Sequence, residues 1–560
     1  MSPHKSSPGS LRGADVVMRT LERSGASKVF TLSGNHIMSL FDAALETRLE
    51  LVHTRHEAAA VHMADAWGRM TGEVGIAMVT GGPGHANAVG ALYTALCAES
   101  PMVLLSGHAG TDELGRGGFQ EIRQADMAAP VSKASWTARS IETLGQEVAQ
   151  ALRIAKVGRP GPVHLSLPSN FLDAHIAADR LHWPEPSAWM PASSTLAPAI
   201  AAGVVAEIAA ARRPLVLAGP HFSHHDGRAV LARVEAAVGA PVILMESVRG
   251  LNDATLGAFG QAMAKADLIV LLAKPLDFTL KFGEAPFVDP ACRFIALDPE
   301  AALLERAAKA KGAMLVLATL TDGRSAAAAL IAAAMGESRK LSAHHLAWRN
   351  EVHKLAYQRP AAWKDVTSTT PGRLHPLDVF RALEPYVDKD PRNVLVCDGG
   401  EFAQWAQAVL PAKRRMINSV AGAIGSGISC AITAALVERG APTFAVMGDG
   451  TFGFHMAEFD TAVRAKAPFV AIVGNDARWN AEHQIQLRDY GENRTTGCEL
   501  LPTRYDQVVV ALGGHGEMVD TIAALPSAIE RALASGKPAC INVMTESVAS
   551  PAAPRTATTG

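Results

Sequence analysis

The sequence predicts an α/β protein built from three doubly wound parallel-sheet domains. Short β-branched apolar runs alternate with longer amphipathic stretches along nearly all of its 560 residues, the pattern of strands alternating with helices that cover both sheet faces. Two proline-rich segments interrupt the alternation, and after each of them it restarts. Several of the strand-like runs finish in glycine followed by an oxygen-bearing side chain, as expected where parallel strands end at a ligand-binding edge.

In chain order, "LVHT", "GIAMVT", "MVLLSG" and "PVHLSLP" read as strands of a first domain, residues 10–182, with "AAAVHMADAWGRMTG" as a helix closed by Gly72. "WPEPSAWMPASS" (Trp183 to Ser194) reads as a linker. A second domain, residues 195–340, carries "RPLVLAG", "PVILMES", "DLIVLLA" and "RFIALD". A second break, "VTSTTPGRLHP" (Val366 to Pro376), leads to a third domain, residues 370–547, with strands at "NVLVCDG", "TFAVMGDG", "FVAIVGND" and "ACINVMT". Residues 1–10 and roughly the last dozen are rich in Ser, Pro, Thr and Ala and are expected to fray.

Composition narrows the function classes. The formal net charge is -2 with no basic face or arm, which argues against nucleic acid as a partner. The 20 histidines are scattered and the 6 cysteines form no CxxC pair, so no zinc site is expected and the thiols read as reduced core residues of a cytoplasmic protein. The N-terminus has no apolar h-region of a signal peptide. Ser419 to Val437 is free of charge, but "SVAGAIGSGISCAITAALV" is mostly Gly, Ala and Ser. It reads as a buried glycine-rich turn and helix, not a membrane span.

The chemistry concentrates between Met447 and Asn480. Gly448-Asp449-Gly450 follows one apolar run and Gly474-Asn475-Asp476 follows the next, with residues 454–466 between them as a crossover helix. A right-handed βαβ unit places Asp449 and Asp476 on the same sheet edge. Two hard oxygen ligands suit Mg²⁺, which commonly carries a diphosphate, and Gly448 and Gly450 would let backbone approach phosphate oxygens. On its own the triplet favours an ordinary Asp-Gly turn.

The spacing singles out a family. GDG, some two dozen residues, an apolar strand and an Asn-bearing turn resemble the motif of thiamin diphosphate (ThDP)-dependent enzymes of the acetolactate synthase, benzaldehyde lyase and 2-hydroxyacyl-CoA lyase group, and the resemblance spans roughly residues 10 to 545. It implies that the three domains are pyrimidine-binding, central and diphosphate-binding. Relatives end the motif in Asn-Asn; here Asp476 lies 27 positions after Asp449, matching the second of that pair. The resemblance therefore implies Asp449, Asp476 and the Arg478 carbonyl as Mg²⁺ ligands, with Asp for Asn as a departure and Asn475 as the competing ligand. "TRHEAAAVHMADAWGRMTG" resembles the segment whose glutamate, here Glu57, hydrogen-bonds the aminopyrimidine and favours its imino tautomer; a carboxylate in the first turn of a helix is also simply favoured by the dipole.

Further segments resemble the family's cofactor loops. "TGGPGHANAV" implies Pro83 and Asn87 beside the pyrimidine, "GGFQEIRQADMAAP" implies Gln120 as an active-site polar group, and "CDGGEFAQW" implies Gly400 and Glu401 beside the diphosphate. "AGAIGSG" implies Ala423 and Ile424 where a large apolar residue bends the cofactor. Gly448, Gly450, Thr451 and Trp479 complete the implied cofactor set. "LSGNHIMSLFDAA" places His36 where benzaldehyde lyase-like enzymes carry a catalytic histidine. A surface or capping histidine is the plain alternative.

The resemblance implies a ThDP- and Mg²⁺-dependent enzyme that makes or breaks a C–C bond next to a carbonyl. Its small-molecule substrate would be a 2-keto acid, an acyloin or a 2-hydroxyacyl thioester. The implied assembly is a homodimer or homotetramer with active sites at the subunit interface. "KPLDFTLKFG" resembles the 2-hydroxyacyl-CoA and oxalyl-CoA enzymes, so a lyase or oxalyl-CoA decarboxylase is the alternative activity. FAD or ADP in the central domain has no supporting motif. A non-catalytic ThDP-fold protein is opposed by intact Glu57 and Asp449. A nicotinamide-linked oxidoreductase would need a GxGxxG fingerprint that the sequence lacks.

Overall fold

The computed structural model describes residues 9–335 and 342–551. The chain divides into two compact units. The first comprises the residues through Ala192 together with Ile432–Val437 and Ala457–Ala467, and the second holds the remainder.

The first unit is organised on a six-stranded parallel sheet in the order Glu50–His53, Lys28–Thr31, Gly75–Val79, Met102–His108, Pro162–Pro168 and Ala134–Thr137. Met102–His108 and Pro162–Pro168 are buried along their whole length, which is why they read as mainly apolar runs: helices cover both faces. Gly13–Arg23 and Leu144–Lys156 contribute Val16, Val17, Leu144 and Val148 to one core. Glu57–Thr71 packs on Pro83–Cys97 and on strands 28–31 and 75–79. Glu57–Thr71 ends at Gly72, whose φ of 73° is the left-handed C-cap expected from the sequence.

The second unit holds two parallel sheets. One has five strands, in the order Val242–Leu244, Pro214–Ala218, Leu268–Leu272, Arg293–Asp298 and Leu315–Leu320. The other has six, in the order Arg414–Ile417, Val394–Asp398, Thr443–Gly448, Val470–Asn475, Ala539–Met544 and His515–Val519. The α/β class with three parallel sheets is thus as the sequence predicts. Ala134–Thr137, Leu315–Leu320, Arg414–Ile417 and His515–Val519 are additional strands at sheet edges, half-buried or alternately exposed. An edge strand has one open side and tolerates polar residues, so it leaves no apolar run to read.

Three local expectations change. The crossover is two short helices, Asp449–His455 and Glu458–Arg464, and it begins at Asp449 itself. Gly448 ends its strand with φ −73° and passes directly into the helix, so GDG is not a turn. Of the chain end expected to fray, Ser550 is tied down, its N–H donating to the Glu401 carboxylate, and the residues just before it are held as well. Trp405 Nε1 donates to the Ala549 carbonyl at 3.0 Å and Asn480 Nδ2 to that of Val548 at 3.0 Å, while residues 1–8 and 552–560 lie outside the described residues. At the other terminus Ser10–Arg12 pairs antiparallel with His175–Ala177. The charge-free stretch contains the helix Gly427–Val437, and no helix among the described residues is long and apolar enough to cross a membrane.

Candidate active site

In the second unit the two carboxylates stand where adjacent strands end together. Gly448 pairs with Gly474 across the parallel ladder, and Asp449 and Asp476 follow at the same carboxyl edge. Both line a cleft together with Gly399, Gly400, Ile424, Gly448, Thr451 and Arg478. Asp449 is 1% exposed, and its Oδ2 has no hydrogen-bond partner. Burial raises the pKa of Asp449 against the pull of the N–H groups of Gly450, Arg478 and Ala477. Burial and then the charge of Asp449 raise that of Asp476. A buried and a half-buried carboxylate, the charge of the first raising the pKa of the second, are a donor set that a divalent cation would relieve.

The chain after Asp476 turns sharply, with Ala477 at φ 58°. Trp479 N–H then donates to the Cys498 carbonyl at 2.8 Å and Leu500 N–H to that of Ala477 at 2.7 Å. The Arg478 carbonyl takes no part in these two bonds. Asn475 is oriented differently: it is fully buried, and its amide donates to the Thr503 carbonyl at 3.0 Å and to Asn542 Oδ1 at 3.1 Å. Of the Asn475–Asp476 pair, it is Asp476 that lines the cleft.

The glycines divide by role. Gly448 and Gly400 have nothing within 4 Å of where a Cβ would stand, so both leave open space at the cleft. Gly400, at φ 21°, also precedes the helix Glu401–Val409, whose free N–H groups favour an anion. The open cradle, the helix start, the unpartnered carboxylate oxygen and the paired carboxylates together fit a metal-bound diphosphate. Gly450 lines the same cleft, and a Cβ there would meet the Trp479 ring at 2.7 Å, so its missing side chain makes room for that ring. Gly474 makes room for the Phe402 ring, 2.3 Å from its virtual Cβ.

Glu401 lines the same cleft. Its carboxylate accepts from Ser550 N–H and lies 3.8 Å from Arg249, so its charge is turned toward those partners. The residue that sequence reading passed over is Asp398, 1% exposed at the end of the strand Val394–Asp398. It accepts from Asn418 Nδ2 at 2.7 Å and from the N–H groups of Gly425, at 3.0 Å, and Gly427. It thereby shapes the loop carrying Ala423 and Ile424; Ile424 lines the cleft, whereas the Ala423 carbonyl accepts from Asn418. An acidic residue inside "CDGG", at a strand end, was the available signal.

In the first unit, Glu57 opens the helix Glu57–Thr71 behind His56, whose Nδ1 accepts from Ala58 N–H at 3.1 Å. Glu57 is 9% exposed, and its Oε2 accepts from Asn87 Nδ2 at 3.1 Å. Pro83 and Asn87 are exposed one turn apart on Pro83–Cys97. Thr80 stands between the candidate side chains: its Oγ1 lies 3.3 Å from His36 Nδ1, and its side chain packs beneath Gly34 and Gly84. His36 is 6% exposed, with Nε2 3.2 Å from the Phe119 carbonyl, its ring stacked on that of Phe119. It is neither a surface nor a capping histidine. Burial, the largest cause, lowers its pKa. Gln120, next to Phe119, adopts φ 57° and lies against Gly82, a strained backbone of the kind that collects at functional sites.

The two halves define a class of protein. The chain belongs to the thiamin diphosphate (thiamine pyrophosphate)-dependent enzymes. Residues 11–127 match the family model "Thiamine pyrophosphate enzyme, N-terminal TPP binding domain" and residues 398–543 match "C-terminal TPP binding domain". It is similar to the acetolactate synthase large subunit IlvG of Mycobacterium tuberculosis, at 31% identity over 98% of this chain and 99% of that protein. It is also similar to human 2-hydroxyacyl-CoA lyase 2, at 28% identity over 97% of this chain and 91% of that protein, and to its bovine counterpart, at 29% over the same shares. The chain is therefore an enzyme of the ThDP-dependent carboligase and lyase kind.

Proposed function

We propose that the protein is a ThDP- and Mg²⁺-dependent enzyme that cleaves or forms the C–C bond next to a carbonyl, in a 2-keto acid, an acyloin or a 2-hydroxyacyl thioester. The observation that carries this is the cleft in which Asp449 and Asp476 face the open glycines Gly400 and Gly448. Asp449, Asp476 and the Arg478 carbonyl would hold Mg²⁺. Gly400, Gly448 and Thr451 would take the diphosphate, and Ala423, Ile424 and Trp479 would flank the rings. When bound, the cofactor supplies a carbon nucleophile and an electron sink. Glu57, oriented by Asn87, would hold a proton at the aminopyrimidine. Pro83 and Asn87 would border that ring.

His36 would exchange a proton with the substrate hydroxyl. With Nε2–H donated to the Phe119 carbonyl, Nδ1 accepts from Thr80; a substrate oxygen in place of that carbonyl would receive the Nε2 proton as an alkoxide, and would return it as a hydroxyl when Nε2 is bare. Gln120 would orient the carbonyl. In this reading residues 10–182 form the pyrimidine-binding domain, 195–340 the central domain and 370–547 the diphosphate-binding domain. The protein acts in the cytoplasm as a homodimer or homotetramer, each site combining Glu57 from one subunit with the Asp449 cleft of its partner. A nucleotide in the central domain forms no part of the reading.

His36 and the similarity to human 2-hydroxyacyl-CoA lyase 2 favour a lyase acting on a hydroxylated substrate as the second form of the proposal. One panel with ThDP and Mg²⁺ separates the forms: pyruvate, benzoin, oxalyl-CoA and a 2-hydroxyacyl-CoA. Turnover of pyruvate alone would favour the synthase, and turnover of none would refute the substrate class.

A further inference from the structure

Beneath the turn that carries the candidate catalytic face of the first unit runs a buried chain of hydrogen bonds that the proposed mechanism does not use. Its centre is Gln124, 1% exposed, at the start of the short helix Gln124–Ala128. Its Oε1 accepts from Gly82 N–H at 2.8 Å, and its Nε2 donates to the Gly107 carbonyl and to Ser166 Oγ, each at 3.0 Å. Ser166 Oγ lies 3.3 Å from His164 Nε2, His164 Nδ1 lies 2.8 Å from Ser135 Oγ, and Ser135 Oγ donates to the Ala125 carbonyl at 2.6 Å.

The polarity of this chain follows from its ends. Ser135 gives its proton to a carbonyl, so it must accept from His164 Nδ1–H. His164 Nε2 is then the bare nitrogen and accepts from Ser166 O–H, leaving Ser166 Oγ to accept from Gln124. Both hydrogens of the Gln124 amide are thus committed, and its oxygen is the one acceptor turned toward Gly82. Every member is satisfied in one direction only, the condition under which a buried polar network specifies a unique arrangement.

We propose that Gln124 is a positioning residue for Glu57, His36 and Gln120, joining the turn Thr80–Pro83 to Gly107 through an amide whose donor and acceptor ends are both required. The three side chains rest on what it joins. Gly107 lies directly under His36, whose Cβ is 2.6 Å from its virtual Cβ. Gly82 lies under Gln120 at a similar separation, and Gly84, two residues on, lies 3.3 Å from Glu57 Oε1 by the same measure. Thr80 contacts His36 directly. A shift of that turn by a fraction of an ångström would misplace all three, and misplaced groups cost rate steeply. The inference rests on the functional reading above for the roles of those three residues and on the hydrogen-bond geometry for Gln124 itself.

Two substitutions test it. Gln124→Met keeps the volume and removes donor and acceptor together. Gln124→Glu keeps the acceptor for Gly82 but, when ionised, turns oxygen toward the Gly107 carbonyl; protonated, it supplies one donor again. The titratable groups around it are His85, His108 and His164, each on a different packed element, with Glu121 and the exposed Arg123–Asp126 pair flanking it in sequence. Burial lowers His85 to about 4 and His164 well below its ordinary value, so both stay neutral in an ordinary assay. In Gln124→Met, kcat should fall at least ~10-fold with the apo melting temperature nearly kept. Hydrogen exchange of the Thr80–Pro83 peptide in the apo protein should quicken. In Gln124→Glu, kcat relative to wild type should rise as pH falls from 9 to 6. Wild-type kcat and wild-type exchange in Gln124→Met would overturn the proposal, as would a Gln124→Glu deficit equal at every pH. The exchange measurement needs no cofactor, so a wild-type protein that fails to bind ThDP would sink the functional reading and leave the Gln124 result standing.

Discussion

Asp476 and Asn475 are neighbours in sequence with opposite fates, and single substitutions should separate them. Asp476→Ala should weaken ThDP binding at ordinary Mg²⁺ by tenfold or more, whereas Asp476→Asn should be tolerated because an amide oxygen still ligates Mg²⁺. Asn475→Ala should leave cofactor affinity near wild type and lower stability, by about 1–3 kcal/mol, since two buried hydrogen bonds to Thr503 and Asn542 are lost. Calorimetric titration beside thermal melts checks both, and the reverse pattern would shift the metal ligand by one residue. Glu57→Gln preserves shape and the contact with Asn87 but loses the carboxylate, so turnover should nearly vanish while ThDP still binds. A mutant kcat close to wild type would remove Glu57 from the chemistry. For His36 the sign is definite: its pKa is lowered, chiefly by burial, so the imidazole is neutral at pH 7 and still accepts a proton somewhat below pH 6.5. The acid limb of kcat/KM should fall below pH 6.5 and be absent in His36→Ala, whose kcat should drop by roughly 10²–10⁴.

At the scale of elements, close packing decides which strand-end residues are interchangeable. Gly474, the last residue but one of Val470–Asn475, stands against the Phe402 ring of Glu401–Val409, so a methyl group there must displace a buried aromatic. Gly474→Ala should destabilise by about 1–3 kcal/mol, and pairing it with Phe402→Leu should recover part of that loss in thermal melts. Equal stability of the single and double mutants would show that the clash is absorbed elsewhere. Gly448 opens onto the cleft with no neighbour within 4 Å, so Gly448→Ala should spare stability and act on diphosphate affinity instead. The two motif glycines are alike in sequence and differ only in what the neighbouring element sends toward them.

For the molecule as a whole, the buried histidines of the first unit set its acid limit. Burial lowers His62 and His85 to about 4. A histidine whose folded pKa is depressed binds more protons when unfolded, so its stabilising share is complete above pH 6.5 and is lost as pH falls toward 4. At the bottom of that window each would remove on the order of 3 kcal/mol. Melts between pH 7 and 4.5 should therefore show steep acid destabilisation, lessened in His85→Gln. A melting temperature flat across that range would contradict it.

The class of the fold was legible in the sequence because buried parallel strands are mainly apolar, and "PVHLSLP", polar only at His164 and Ser166, is the strand Pro162–Pro168 residue for residue. Edge strands such as Arg414–Ile417 were not, since an edge has one solvated side. Of the candidate site, the spacing of Asp449 and Asp476 and the Glu57 helix start could be read from sequence, because strand ends and helix starts are local features. What the fold alone decided was non-local. Gly450 belongs to Trp479, Glu401 is turned to Ser550 and Arg249, and Asp398 holds the Ile424 loop. Such partners lie tens to hundreds of residues apart, and a side chain's neighbours exist only once the chain has packed.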